Sequence, residues 1–211
     1  DENNQPEGVD NQKNDPIPDS NQNNNENNDA NQKFDAPSEK KEENETLDNQ
    51  NNEISLCGDS AGAHLAACIC KNLANENHDM IHSQFLIYPM CDPTCSSDSH
   101  KEGSNQLLLT TESMKWFWKK LLPEDGRIKR DDYDLLYGND MKYFPKTIVV
   151  TAGFDVLHSE GEEFASKLND SKNLIKQLHY PALFHGFANS TKIDLASYAV
   201  NDFLQEYKKI L

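Results

Sequence analysis

Four short apolar runs alternate with helical patterns along the chain after residue 53. The runs cover residues 54–57, 85–88, 146–151 and 174–180. Each is ended by glycine, proline or polar residues, as is typical of short buried strands. Strands that alternate with helices are joined by crossover connections, which pair the strands in parallel. The order predicts an α/β fold with a mostly parallel sheet flanked by helices.

Helical spacing appears between the runs and after the last one. In the first helix Ala61, Leu65, Ile69 and Leu73 fall four residues apart, which places them on one face. In the second, Met114, Phe117, Trp118 and Leu121 follow a helical spacing, and Pro123 closes the element. Two more helices are predicted over residues 161–168 and 191–210, and Pro181 is expected to stop the last strand.

Residues 1–53 have a different composition from the rest of the chain. They contain fifteen Asp or Glu against four Lys, fifteen Asn, and only four large apolar side chains, which are Val9, Ile17, Phe34 and Leu47. Such a segment buries too little apolar surface to offset the loss of chain entropy. We therefore expect residues 1–53 to be a disordered, low-complexity tail and residues 54–211 to form one compact domain.

The composition also limits the partners and the compartment. A net charge of −16 disfavours nucleic acid as a partner, and no run approaches the roughly 20 apolar residues of a membrane span. The N-terminus lacks the apolar core of a signal peptide, although a chain that begins at Asp1 leaves an upstream targeting segment open. Five scattered cysteines favour free thiols and a cytoplasmic location. Glycosylation acceptors at Asn44, Asn169 and Asn189 keep a secretory route as an alternative.

The sequence Gly58-Asp59-Ser60-Ala61-Gly62 fits the pattern G-x-S-x-G between a predicted strand and a predicted helix. In that context the pattern indicates a nucleophile elbow, a sharp turn that projects the serine hydroxyl. Small residues on both sides let the backbone close. The Ala61 amide, at the start of the helix, is the candidate donor to an oxyanion. The alternative interpretation is an ordinary Gly-Ser turn.

A nucleophilic serine needs a base, and the base needs an acid to orient it. Asp155 follows the strand at 146–151, and His185 follows the strand at 174–180. Ser60, Asp155 and His185 thus occur in the chain order of α/β hydrolases, each past the carboxyl end of a strand. Taken singly, Asp155 could be a turn residue and His185 a loop histidine. Their joint placement favours a catalytic triad.

Four segments in register, GDSAGAHLA, LIYPMCDPT, TAGFDVLHSEGEEFASKL and HYPALFHGF, resemble the C-terminal half of the hormone-sensitive lipase family of α/β hydrolases. The resemblance implies a serine carboxylesterase in which Ser60 is the nucleophile, His185 the base and then the acid, and Asp155 the orienting group. It implies a small-molecule ester substrate, with short-chain or aromatic acyl groups, and no metal or cofactor. It also implies a variable region at 92–140, with the Trp116 and Trp118 helix near the substrate pocket, although core packing is an equal alternative for that helix.

The chain departs from this family upstream of the serine. Family members carry an HGGG segment that completes the oxyanion hole, whereas here Gly8 is the only glycine before Gly58. With four strands, the strand at 54–57 is expected to be an exposed apolar edge that invites self-association or pairing with a missing half. Two hypotheses follow, a carboxylic ester hydrolase and a catalytically impaired remnant or truncated fragment that acts as an interaction module.

Other candidate residues fit less well. Cys91 and Cys95, with His82 and His100 nearby, could be a zinc site, but Pro93 and the resemblance favour a loop of free thiols. His64 lies one helical turn after Ser60 and could compete as the base, although packing is its expected role. His158 and His179 are expected to be structural.

Overall fold

A computed structural model of the chain describes residues 54–73, 80–102, 107–138, 141–142 and 144–211. The predicted tail, residues 1–53, lies outside these ranges. Within them the elements alternate as the sequence pattern predicts, with strands followed by helices throughout.

The four strands form a single parallel sheet. They are β1 (Ile54–Asp59), β2 (Ile81–Ile87), β3 (Lys146–Phe154) and β4 (Leu174–Phe184), and they lie in the spatial order β1-β2-β3-β4. Every neighbouring pair is parallel. The predicted α/β fold is therefore confirmed, and all four carboxyl ends meet at one edge of the sheet.

The helices are longer or shorter than predicted by a few residues at each end. They are α1 (Ala61–Leu73), α2 (Asp98–Lys101), α3 (Thr111–Leu121), α4 (Arg130–Tyr133), α5 (His158–Asp170) and α6 (Asp194–Tyr207). The short helices α2 and α4 lie in a region that carries no strong helical spacing, and the sequence did not predict them.

Helices cover both faces of the sheet because successive strand residues point to opposite sides. Leu86 and Val149 pack with α1 and α5 on one face. Phe85, Ile148 and Val150 pack with α6 on the other. All five side chains are buried, which makes β2 and β3 the centre of the core.

The last strand passes through Pro181 instead of stopping there. The strand continues to Phe184, so the prediction that Pro181 ends it was wrong. Among the described residues β4 pairs only with β3, and a proline without an amide proton is tolerated on such an edge strand. The pairing is irregular between Ala152 and Phe154, where the backbone of Pro181 lies so close to Gly153 that a Cβ there would overlap it. This extension carries His185 to the edge of the sheet directly after the strand.

The apolar face predicted for α1 points outward. Leu65 and Ile69 are 54% and 47% exposed, and Ala61 is exposed as well. The side of α1 that packs on the sheet carries smaller and more polar side chains, which are Ala63, His64, Ala66, Ala67, Cys68 and Cys70. We call the outward row Ala61, Leu65, Ile69 and Leu73 the α1 stripe.

In the part of the chain that the structure describes, no helix is both long and apolar enough to cross a membrane. All five cysteines are free, and only Cys57 is exposed. Burial raises the pKa values of the Cys68, Cys70 and Cys95 thiols to about 12, so these thiols stay protonated near neutral pH.

Acid stability is expected to depend on Asp92, in the loop that follows β2. Burial opposes ionisation, but hydrogen bonds from the amides and hydroxyls of Thr94 and Ser96 outweigh it and hold the pKa of Asp92 below its ordinary value. A depressed folded-state pKa stabilises the fold above the unfolded value of about 3.9, and this contribution is lost as the pH falls through the folded value. Asp92→Asn should lower the free energy of unfolding by about 2 kcal/mol at pH 7. The difference from wild type should shrink below about pH 4, as denaturant titrations at several pH values would measure.

Asp98→Asn is the matched control, because the Asp98 side chain is 84% exposed and its ion pair is with the exposed Lys101. It should change stability by less than about 0.5 kcal/mol. An Asp92→Asn effect that is equal at pH 7 and pH 3 would contradict the assigned role of the Asp92 charge.

Candidate active site

Ser60 sits on a strained turn between β1 and α1. Its φ is 53°, a left-handed conformation that non-glycine residues rarely adopt. Two backbone hydrogen bonds hold the turn. The Ser60 amide donates to the Ile87 carbonyl at 2.9 Å, and the His64 amide donates to the Ser60 carbonyl at 3.1 Å. This is the geometry that the G-x-S-x-G pattern predicts, and the first bond ties the elbow to the end of β2.

The two glycines of the pattern have different roles. A Cβ on Gly58 would overlap the carbonyl carbon and oxygen of Gly62, whereas a Cβ on Gly62 would meet nothing within 4 Å. Neither glycine has a positive φ. Steric closure of the turn therefore requires a glycine at position 58, whereas a Cβ fits at position 62.

Ser60, His185 and Asp155 form a continuous chain of hydrogen bonds. The Ser60 Oγ lies 2.9 Å from the His185 Nε2, and the His185 Nδ1 lies 2.8 Å from the Asp155 Oδ2. Each of the three residues is the first after a strand of the parallel sheet. The three predicted candidates therefore meet at the carboxyl edge of the sheet. The Asp155 side chain is fully buried and that of His185 is 13% exposed, which shields their contact from water.

The position of Asp155 is further fixed within its own turn. Its Oδ1 accepts a hydrogen bond from the Leu157 amide at 2.9 Å, and its carbonyl accepts one from the His158 amide at 3.2 Å. With Oδ1 occupied in this way, Oδ2 is left facing the imidazole. In this geometry the Asp155 Oδ2 can accept a hydrogen bond from the His185 Nδ1, and the His185 Nε2 can accept one from the Ser60 hydroxyl.

Tyr88 supports the histidine, and the sequence did not reveal this role. The Tyr88 ring lies 4.7 Å from the His185 ring, centroid to centroid, and is 1% exposed. The Tyr88 hydroxyl and the Asn189 side-chain Nδ2 both donate to the Asp59 Oδ2, at 3.4 and 3.3 Å. Asp59 thus joins the elbow to the segment after His185. The only sequence signal was the aromatic residue before Pro89, which is equally typical of a strand end.

The amino terminus of α1 lies at the elbow. The first amides of an α-helix have no acceptor within the helix, and the helix dipole favours negative charge beside them. Ala61 is the first residue of α1, so its amide follows the serine directly, and the residue is exposed. Such an amide can stabilise a developing oxyanion next to the serine.

The competing base candidate does not face the serine. His64 is 2% exposed, its Nδ1 lies 2.9 Å from the Met90 carbonyl, and its ring packs edge-on against Trp118. Burial lowers the pKa of His64, which keeps it neutral. It therefore packs in the core, as expected.

The residues imagined as a zinc site are not assembled into one. The His100 Nε2 is bound to the Glu160 Oε2 at 2.9 Å, and the Cys91 Sγ donates to the Pro89 carbonyl. Within the described ranges no group of three or more His, Cys, Asp or Glu side chains could hold a metal ion.

The two tryptophans of α3 have different environments. Trp118 is 3% exposed and belongs to a core cluster with Met90, Val156 and Leu157, which fits the packing interpretation. Trp116 is 56% exposed and contacts Phe117 edge-on. His158 and His179 lie with their rings 6.0 Å apart, and the His179 Nδ1 is bonded to the Thr151 hydroxyl.

A parallel sheet with helices on both faces and a serine, a histidine and an aspartate at its carboxyl edge defines the class of α/β hydrolases. The profile of the alpha/beta hydrolase fold family matches residues 28–189, so the chain belongs to that family. The match begins within the segment that lies outside the described residues.

Similar proteins include known ester hydrolases. Vegetative-specific protein H5 of Dictyostelium discoideum is 32% identical over 66% of this chain and 43% of its own length. Carboxylic ester hydrolase LipN of Mycobacterium tuberculosis is 29% identical over 64% of this chain and 38% of its own length. The structure of a thermostable esterase from Pseudomonas putida superposes with a TM-score of 0.62, at 26% identity, over 69% of this chain and 47% of that one. The chain thus spans less than half the length of these relatives.

The asymmetry of the two glycines gives a matched test of the elbow. Gly58→Ala should lower the free energy of unfolding by about 2 kcal/mol or more, because backbone atoms of α1 must move to admit the methyl group. Gly62→Ala should leave stability unchanged or raise it by up to about 1 kcal/mol, because alanine is the better helix former. Chemical denaturation of both variants measures the difference. Equal losses in the two variants would contradict the described contact between Gly58 and Gly62.

Proposed function

We propose that this chain performs the chemistry of a carboxylic ester hydrolase through an acyl-serine intermediate. The observation that carries the proposal is the unbroken chain of hydrogen bonds from Ser60 through His185 to Asp155, with links of 2.9 and 2.8 Å. The ester hydrolases among its relatives support the same assignment. The four sequence segments in register support placement near the hormone-sensitive lipase group.

Each residue has a defined step. Ser60 attacks the ester carbonyl while its proton passes to the His185 Nε2, and the imidazolium that forms is stabilised by the Asp155 carboxylate. His185 then gives this proton to the departing alkoxide, which leaves an acyl group on the Ser60 oxygen. Water then attacks the acyl group while one of its protons passes to the His185 Nε2. His185 returns this proton to the Ser60 oxygen as the carboxylic acid leaves. No cofactor takes part in these steps.

The Ala61 amide is the proposed oxyanion donor. It lies one residue after the nucleophile, at the positive end of α1. The 211 residues contain no HGGG segment. Because one oxyanion donor is worth about a hundredfold to a thousandfold in rate, we expect slow turnover and a preference for activated esters. Short-chain or aromatic acyl esters with good leaving groups are the substrates to assay.

A fluorophosphonate probe tests the nucleophile directly, because it reacts covalently with an activated serine. The wild-type chain should be labelled at Ser60, and Ser60→Ala should abolish the label. Asp155→Asn should lower the labelling rate by about three to four powers of ten, because the imidazole then holds its proton on the wrong nitrogen. Mass spectrometry locates the label, and hydrolysis of p-nitrophenyl acetate reports turnover.

A serine at the opposite edge of the sheet provides a control. Ser171→Ala should label like wild type, since Ser171 follows α5 and precedes the amino end of β4. A folded wild-type chain that is not labelled would leave the catalytically impaired remnant as the better interpretation.

We propose as a second function that the chain associates with a second copy through β1 and the α1 stripe. Among the described residues β1 pairs with β2 alone, and Ile54 at its start is 44% exposed. An unpaired strand edge is a template for another strand, and the exposed Leu65 and Ile69 of α1, the helix that follows β1, offer further apolar surface. A two-fold interface would bury both features in each copy.

Sedimentation analysis tests this association. The wild-type chain should dimerise at micromolar concentration, and the double variant Leu65→Lys/Ile69→Lys should be monomeric because four charges would meet in the interface. The matched control is Tyr198→Lys/Leu204→Lys, which changes exposed apolar residues of α6 on the other face of the sheet. A monomeric wild type, or equal effects of both double variants, would rule out this interface.

A further inference from the structure

One side of the short helix α2 is buried. Ser99 is 0% exposed and His100 is 5% exposed. Their side chains contact the turn that carries Asp155 and the first turn of α5. A buried polar group of this kind is retained only when its hydrogen bonds are satisfied.

Ser99 binds this turn at three points. Its hydroxyl donates to the Val156 carbonyl at 2.5 Å and accepts from the Ser159 amide at 3.2 Å. Its own amide donates to the Ser159 hydroxyl at 3.2 Å. Val156 is the residue directly after Asp155, so Ser99 holds the backbone beside the acid.

His100 continues the contact one residue further along both segments. Its Nε2 lies 2.9 Å from the Glu160 Oε2, and both side chains are almost completely buried. The Thr111 hydroxyl donates its proton to the His100 carbonyl. The His100 Nδ1, which lies 3.1 Å from the Thr111 Oγ1, is therefore the donor to that hydroxyl oxygen. The Glu160 Oε1 accepts from the Cys91 and Asp92 amides at 2.6 and 3.3 Å. Glu160 therefore ties α2 and the loop after β2 to α5.

Burial raises the pKa of Glu160 above its ordinary value, against the opposing effect of its hydrogen bonds to His100 and Cys91. Because both of its carboxylate oxygens are hydrogen-bonded, this buried side chain has a fixed position.

Apolar packing closes the remaining side of the turn. Val156 and Leu157 are 0% and 1% exposed and pack against Met114 and Trp118 of α3. Within the turn, Asp155 accepts hydrogen bonds from the Leu157 and His158 amides, and the His158 Nδ1 lies 3.4 Å from its carbonyl. Contacts with the segment between β2 and β3 add to the attachment of this turn to β3.

We infer that Ser99 and His100 are positioning residues, which hold the Asp155 turn so that its carboxylate stays aligned with His185. This gives the region at 92–140 a function in catalysis besides any contact with substrate. The inference rests on the proposed function for its kinetic consequence, but the alignment of Asp155 with His185 can be measured without activity. A displacement of about 1 Å at such a site lowers rates by as much as about a hundredfold.

Ser99→Ala is the test variant, measured by two readouts. The first is the ring ¹H–¹⁵N correlation of His185, in which the Nδ1 proton bonded to Asp155 gives a downfield resonance that Asp155→Asn should remove. In Ser99→Ala this resonance should move upfield or broaden. The second is esterase kinetics, in which kcat should fall about tenfold while KM stays unchanged, because substrate does not contact Ser99.

Matched variants separate positioning from general stability. Ser99→Thr retains the hydroxyl and should restore most of the kcat that Ser99→Ala loses. Lys101→Ala, on the exposed side of the same helix, should match wild type in both readouts. Ser159→Ala removes one of the linked hydroxyls and should give a milder loss of the same kind, so the test remains available if Ser99→Ala does not fold.

The two proposals fail in distinguishable ways. Absence of fluorophosphonate labelling in wild type with a downfield His185 resonance would reject the hydrolase assignment. The positioning role would then be decided by the shift of the His185 resonance in Ser99→Ala. A His185 resonance and kcat that are unchanged in folded Ser99→Ala would overturn the positioning role. So would absence of the downfield resonance in wild type, because the aligned contact would then not exist.

Discussion

The close contact between the backbones of Gly58 and Gly62 is the constraint on which the site depends. It lets β1 turn into α1 within one residue, and it places Ser60 at a φ of 53°. The strain of that conformation is offset by the bond from the Ser60 amide to the Ile87 carbonyl, which fixes the elbow to the neighbouring strand. The same turn directs the amino terminus of α1 toward the serine oxygen. One steric contact thus positions the proposed nucleophile and the proposed oxyanion donor together.

The parallel sheet explains why the other two residues arrive at the same place. Asp155 and His185 follow β3 and β4 at the edge where β1 ends, so no long loop is needed to bring them together. The sheet alone does not orient the acid, however. The Asp155 turn projects beyond the strands, and its outer side is held by Ser99, His100 and the apolar side chains of α3. The scaffold brings the triad together, and the segment between β2 and β3 limits how far it can move.

The strands, the long helices and the three triad positions could be predicted from sequence because each depends on local pattern. Leu86 and Val149 are recognisable as core from their apolar runs, and Ser60 from its strand-turn-helix context. The continuation of β4 through Pro181 depends on β4 being an edge strand, which only the strand order reveals. The helical spacing of the α1 stripe did not mark the side of α1 that packs on the sheet. A helix that packs closely on a sheet uses its small residues, here Ala63 and Ala67. The contacts of Ser99 and His100 join segments about 60 residues apart, and no local pattern encodes them.

The proposed ester hydrolysis has two parts, proton transfer and stabilisation of the oxyanion. In the proposed mechanism, proton transfer uses Ser60, His185 and Asp155, and all three are held by contacts within the described residues. Stabilisation of the tetrahedral oxyanion needs several donors, of which the Ala61 amide is the one assigned here. The barrier should therefore rise steeply with the basicity of the leaving group, since a poor leaving group makes the reaction depend on the oxyanion. A reactive phosphonate and an alkyl ester then measure different things. The first measures the activation of the serine, and the second measures how much oxyanion stabilisation accompanies it.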